Sequence, residues 1–211
     1  MIFSDIKIED YCVFMSSEIP QYLLELERET NLSTTMPQML SGRLQGRFLS
    51  LISRMVKPDT ILELGTFTGY SALCLAEGMK KDGKLISIEL DEEFKPLIDK
   101  YISLSPFAEN IKIIYGDALD LMSNLDIGFD LVFIDAYKQD YISYYEKSLL
   151  LLNDNGIIIT DNVLWSGQVI NEPYDKTAWA LNEFNEYVRN DSRTEQIMLP
   201  VRDGISLIVK K

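Results

Sequence analysis

Five short apolar runs constrain this chain more than any other feature: 60–64, 84–89, 111–115, 129–134 and 157–160, each closed by a glycine or a carboxylate. Segments at helical spacing separate them, at 71 onward, 94–104, 118–125 and 141–152, and a further one follows at 177–188. Strand and helix in alternation predict an α/β fold, a parallel sheet with helices on both faces. The end of the chain, 196–199 and 205–209 around Asp203-Gly204, predicts a hairpin. Upstream, apolar residues from Asp5 to Leu32 predict two helices split near Pro20, and 44–56 predicts a third with Ser41 as its N-cap. Between them 34–42 is polar and proline-bearing, a loop. With no repeat, linker or low-complexity tract, 1–211 reads as one domain: 1–56 a helical lid or dimer segment, 57–211 the sheet core.

The first run leads into Thr60-Ile-Leu-Glu-Leu-Gly-Thr-Phe-Thr-Gly-Tyr-Ser71, a strand, a glycine turn and a helix. Such a junction presents free backbone N–H groups at a helix N-terminus, and its glycines let a ligand approach the main chain. The spacing Gly65-Thr-Phe-Thr-Gly69 is neither Gly-x-Gly-x-x-Gly nor a P-loop. Glu63 inside the strand end would repel phosphate but could accept from an ammonium group, such as the amino-acid end of S-adenosylmethionine. The same turn is also read as a plain βα junction whose glycines only permit tight packing, and the stretch by itself leaves both readings open.

A net charge of −13 opposes nucleic acid and anionic membrane as partners, which leaves small molecules. No segment is long and apolar enough to span a membrane, and the first residues lack a signal peptide's basic start, so the expected location is cytoplasmic. Cys12 and Cys74 lie far apart in apolar patterns and read as buried free thiols.

In a sheet of this kind ligands bind beyond the carboxyl ends of the strands, and those ends carry Glu63, Glu89, Asp117, Asp135 and Asp161-Asn162. Glu89 is placed to accept ribose hydroxyls, or is a solvated strand end. Gly116-Asp117-Ala118 could line an adenine edge, and Asp117 could equally cap a helix. Asp135, Asp161 and Asn162 offer two carboxylates and an amide oxygen; oxygen donors without imidazole or thiolate suit a hard cation, Mg²⁺ first, then Mn²⁺ or Ca²⁺. The chain has no histidine, so a general base must be Lys, Asp, Glu or Tyr, and Lys138 stands three residues after Asp135. Taken singly, Asp161-Asn162 also reads as an Asx-type turn and Lys138 as a surface residue.

Together, Ile61 to Ser71, Phe129-Asp-Leu-Val-Phe-Ile-Asp-Ala-Tyr-Lys138 with Tyr141 and Tyr144, Asp161-Asn-Val-Leu-Trp-Ser-Gly167 and Leu199-Pro-Val-Arg-Asp-Gly204 resemble the cation-dependent O-methyltransferases, the family of caffeoyl-CoA and catechol O-methyltransferases. The resemblance covers the chain from about Met39 onward. It implies a Rossmann-like class I methyltransferase fold, a seven-stranded sheet with an antiparallel last strand, binding S-adenosylmethionine. By position it implies Glu63, Gly65 and Ser71 around the methionine part, Glu89 at the ribose, Asp117 with Ala118 at the adenine, and Thr66 and Phe67 as further cofactor contacts. Met39 and Ser41 match cofactor-side residues of the preceding loop; Asp135, Asp161 and Asn162 match the metal ligands, Asp135 also lying beside the cofactor. Lys138 matches the lysine proposed as base. Gln45 stands where plant caffeoyl-CoA enzymes commonly carry Glu, Arg202 and Asn155 replace common glycines, and Tyr137 replaces a frequent acidic residue.

The activity implied is transfer of a sulfonium methyl to a catechol oxygen, both hydroxyls held by the cation and Asp135 and Lys138 at the reacting end. Coenzyme A esters would need cations near the mouth, and 169–176 supplies only Lys176 against Glu172 and Asp175, which favours free catechols or small phenolic acids. The resemblance and the apolar surplus of the N-terminal helices imply a homodimer. The competing readings are a nicotinamide-dependent oxidoreductase, disfavoured by the missing phosphate motif, and a non-catalytic binding protein on the same fold.

Overall fold

The computed structural model describes residues 6–211; Asp5, where the first helix was expected to begin, lies outside them. The parallel strands are β1 (Thr60–Leu64), β2 (Lys84–Glu89), β3 (Ile111–Tyr115), β4 (Phe129–Ile134) and β5 (Leu152–Asp161). The closing hairpin is β6 (Thr194–Leu199) and β7 (Ile205–Lys210). They form a seven-stranded sheet in the order β3-β2-β1-β4-β5-β7-β6, with β7 antiparallel to both of its neighbours. The class I methyltransferase architecture expected from the sequence is the one observed.

The helices are α1 (Ile6–Met15), α2 (Gln21–Ser33), α3 (Gly42–Val56), α4 (Tyr70–Ala76), α5 (Lys95–Leu104), α6 (Ala118–Met122), α7 (Tyr141–Leu151) and α8 (Lys176–Arg189). Strand alternation divides the core in two. Ile61, Leu131, Phe133 and Ile159 face Leu23, Leu49, Leu73 and Ile98 of α2 to α5. Leu62, Leu64, Val132, Ile134 and Ile158 face Met122, Tyr145, Leu149 and Phe184 of α6 to α8. Each central strand is buried on both faces, so its sequence reads as an unbroken apolar run.

Four expectations are corrected. Ser41 occupies the N-cap position of α3 with helical backbone angles and makes no side-chain capping bond. Helix α6 stops at Met122, because the Ser123 hydroxyl and Asn124 amide donate back to the carbonyls of Leu119 and Asp120. Strand β5 starts at Leu152, which pairs with Phe129 across an irregularity in β4; the polar Asn153-Asp154-Asn155 conceals this extension. Cys12 is only half-buried, while Cys74 is buried; both are free.

Candidate active site

Parallel strands all end at one edge of the sheet, and β1 is where the chain turns from building one side to the other, pairing with β2 and β4. That switch point opens the crevice in which such folds hold ligands. A cavity of about 1340 Å³ lies there. Because β7 runs antiparallel, pairing Ile205 with Asp161, the turn before it reaches the same edge.

The β1–α4 turn forms one wall. Gly65 has φ +91, and a Cβ there would lie 2.2 Å from the carbonyl oxygen of Asp135, so only glycine lets the turn pass the end of β4. Glu89, closing β2, fastens the turn: one oxygen accepts from the amides of Thr66 (2.9 Å) and Phe67 (2.7 Å), the other from those of Leu90 (2.8 Å) and Asp91 (3.1 Å). These bonds hold Phe67 at φ +50, and its ring meets Phe94 edge-on at 5.1 Å. Glu89 is therefore an organiser of the loop, with all four lone-pair directions engaged. Asp117 caps α6 by accepting from Asp120 N at 3.0 Å and still lines the cavity beside Ala118.

Glu63 stands behind this wall. It is fully buried, is absent from the cavity lining, and accepts from the Ser87 hydroxyl, which in turn pairs with Thr66 Oγ1 at 2.5 Å. Desolvation pushes its carboxyl up to about 8, against the lowering effect of the Ser71 and Ser87 hydroxyls. Glu63 is set back from the cavity surface, which Ser71 lines.

The opposite wall is built from charged side chains. The Lys138 ammonium donates to Asp135 Oδ1 at 2.6 Å and lies 5.1 Å from the Tyr141 ring centroid. Desolvation works to lower the lysine's pKa, but the charge of Asp135 and the Tyr141 hydroxyl outweigh it, and the net shift is upward. Asp161 is 3 % exposed; Oδ2 accepts from Gln45 Nε2 at 2.6 Å and Oδ1 from Asn162 N at 2.7 Å. Burial, then repulsion from Asp135, raises its pKa. Asn162 adopts φ +58, a conformation asparagine tolerates. Tyr141, fully buried, donates from its hydroxyl to the Asp161 carbonyl at 3.0 Å, tying β5 to α7.

Of the candidate cofactor, metal and catalytic residues, Met39, Ser41, Gly65, Thr66, Phe67, Ser71, Glu89, Asp117, Ala118, Asp135, Lys138, Asp161 and Asn162 line this one cavity, and Glu63 does not. The sequence reading noted Gln45 and Arg202 only as departures from a pattern. Their bonds to Asp161 and to Leu40 and Ser41 span 116, 162 and 161 residues, and no local signal reports such contacts. Trp165 and Ser166, at φ +44 and +52, also line the cavity, and their strained turn is invisible to apolar periodicity.

A model of the O-methyltransferase family matches residues 14–211. The chain belongs to the O-methyltransferase family. Within it, caffeoyl-CoA O-methyltransferase of Stellaria longipes is 31% identical over 224 aligned positions, covering 95% of this chain and 93% of that one. The SAH-bound Podospora anserina methyltransferase PaMTH1 superposes with a TM-score of 0.90 at 30% identity, covering 98% of this chain and 94% of its own. The O-methyltransferase TomG of Streptomyces achromogenes, solved in complex with SAM, gives 0.88 at 26% identity over 97% and 96%. Family membership makes the chain an enzyme and sets aside the oxidoreductase and non-catalytic readings.

The donor set fits a divalent cation by its chemistry. Among the described residues no three His, Cys, Asp or Glu side chains cluster, and the third candidate donor is the amide oxygen of Asn162, a residue that lines the same cavity. Asp135 and Asp161 repel one another across the site with Lys138 as the adjoining positive charge, which is the field a hard cation relieves.

Proposed function

We propose that this O-methyltransferase takes its methyl group from S-adenosylmethionine and delivers it to a hydroxyl of a catechol-type small molecule, with a divalent cation, Mg²⁺ first, held by Asp135, Asp161 and Asn162. The observation that carries the reading is the meeting, in one cavity, of a glycine turn fastened by Glu89 with a pair of repelling carboxylates. SAM and SAH in the solved relatives support the cofactor. The cation, when bound, would hold both catechol hydroxyls and acidify the reacting one.

The chain's own residues divide the remaining work. The turn 65–71 presents its backbone to the methionine part, and Glu63 behind it supplies negative charge once a ligand ammonium offsets its burial. Met39, Ser41, Asp117 and Ala118 enclose the rest of the cofactor. Lys138 keeps a positive charge beside the oxygen that becomes a phenolate; Lys138→Met, assayed on catechol and on the more acidic nitrocatechol, separates this role from proton removal. An equal fractional loss on both supports the charge, and a loss confined to catechol makes Lys138 the base.

The acceptor's charge is read from the cavity wall. Among its described residues are ten carboxylates, Glu9, Glu89, Asp91, Glu93, Asp117, Asp135, Asp140, Asp161, Asp175 and Asp203, against Lys138 and Arg202. Both cations are engaged, by Asp135 and by main-chain carbonyls. A coenzyme A ester's phosphates would meet repulsion, whereas a free catechol meets none. A methylation screen over free catechols, flavonoids and caffeoyl-CoA, with and without Mg²⁺, tests this: free catechols should turn over fastest and only with the metal, and a preference for caffeoyl-CoA would contradict the acceptor class.

Assembly as a homodimer belongs to the same proposal. Tyr11, Phe14 and Met15 of α1 and Leu51 and Met55 of α3 are exposed, apolar surface of the kind a partner copy would cover. No described helix is long and apolar enough to cross a membrane. Light scattering at micromolar concentration should give a dimer mass; a monomer would count against it.

A further inference from the structure

The turn joining β6 to β7 holds Arg202 at φ +50, a backbone conformation that glycine adopts freely and arginine does not. Its guanidinium leaves the hairpin altogether. Nη1 donates to the carbonyl of Leu40 at 2.8 Å and to that of Ser41, the two residues just before α3. The room for it comes from Gly42, itself at φ +73, where a Cβ would sit 2.7 Å from Nη1. Among the described residues, and outside α3's own ladder, the other hydrogen bonds of this loop are local, joining Thr34 to Thr30, Met36 to Thr34, Met39 to Met36 and Leu40 to Pro37. The Ser41 side chain adds no cap. Among the described residues the long-range polar tie of the loop is thus the arginine.

The same turn grips the opposite wall. Asp203 Oδ1 accepts from Ser166 N, and its carbonyl accepts from Leu164 N at 2.9 Å. Met39, Ser41, Ser166, Arg202 and Asp203 all line the cavity, so one four-residue turn joins the loop before α3 to the Trp165 segment across its mouth.

We propose that Arg202 is a positioning residue that clasps the Met39–Ser41 loop against the hairpin and thereby sets the affinity for the cofactor, leaving that for the acceptor largely untouched. The proposal rests on the reading that this cavity binds S-adenosylmethionine. A bond of a charged donor to two carbonyls lost from a partly buried place should matter about as much as a strong single hydrogen bond.

The test compares the full-length parent with Arg202→Gly and Arg202→Lys. Glycine suits the backbone angle, so Arg202→Gly should fold with an unchanged melting temperature. It should weaken SAH binding in calorimetry about tenfold and raise KM for S-adenosylmethionine, with acceptor KM held. Amide hydrogen exchange should quicken at 39–41 and the first turn of α3 while the sheet stays protected. Arg202→Lys, keeping a cation that reaches one carbonyl, should recover part of the affinity. Parent-like SAH binding and parent-like exchange at 39–41 in Arg202→Gly would overturn the clasp. So would an affinity loss accompanied by a lower melting temperature and faster exchange throughout the sheet, which would mark a general stability residue. If the parent itself does not bind SAH, the cofactor reading fails, and exchange at 39–41 still decides whether Arg202 holds the loop.

Discussion

The two walls of the cavity reach order by opposite means. On the β1–α4 side a glycine turn passes the strand ends as tightly folded main chain, and Glu89, which closes β2, fastens it by accepting from four amides. On the β4–β5 side the wall is held by side chains: Asp135 against Lys138 at 2.6 Å, and Asp161 against Gln45 at 2.6 Å. Main-chain walls are pre-organised by the fold and change little with what they bind. A wall of neighbouring like charges is balanced only in part by its own residues, and its state depends on protons and cations. On the proposed reading, specificity for the constant partner lies in backbone and reactivity toward the variable one in charge.

The largest break in this comparison should come from Asp161→Ala. Methyl transfer should fall about 10³-fold, through loss of the electrostatic assembly around the acceptor, while SAH affinity by calorimetry moves by less than about threefold. Equal losses would mean that Asp161 shapes the cofactor wall instead. Glu89→Gln is the mirror experiment. An amide cannot accept from four N–H groups, so Phe67 and Thr66 lose their anchor and SAH affinity should drop about 10- to 100-fold, with acceptor KM little changed in steady-state kinetics.

How far these walls could be read beforehand follows the same division. The strand ends were legible because a carboxylate or glycine after an apolar run marks the edge of a sheet: Glu89, Asp117, Asp135 and Asp161 all end where the sequence put them. What escaped was set by tertiary contact. The burial of Glu63 is not visible in the sequence: both faces of β1 are covered by helices, and Ser87, opposite it on β2, donates to it. Ser41 looks like a cap, yet its carbonyl is taken by Arg202 from far along the chain, and its backbone is already helical. Gln45, on α3, becomes part of the charged wall only because α3 packs beside β5's end.

Gln45 offers a finer test. Removing an amide that steadies a metal-binding carboxylate typically costs 10- to 100-fold in metal affinity, so Gln45→Leu should raise the Mg²⁺ concentration for half-maximal activity about tenfold. An unchanged Mg²⁺ requirement would leave Gln45 with packing alone. The smallest effect concerns stability. Folded Glu63 keeps its proton up to about pH 8, whereas the unfolded chain releases it near 4.5. Between those values the folded state binds more protons, so this residue's contribution is fully present below pH 4.5 and declines as pH rises toward 8. Urea melts of Glu63→Gln across that window should show a flatter pH dependence than the parent, by up to about 1.4 kcal/mol per pH unit; parallel curves would mean that Glu63 is ionised throughout.

The independence of the two walls is tested most directly on one sample before and after EDTA, by measuring SAH binding and methyl transfer to catechol together. The account predicts that SAH binds with the same affinity in EDTA, that methylated product disappears, and that added Mg²⁺ restores it. Full turnover in EDTA, or loss of SAH binding along with turnover, would contradict it.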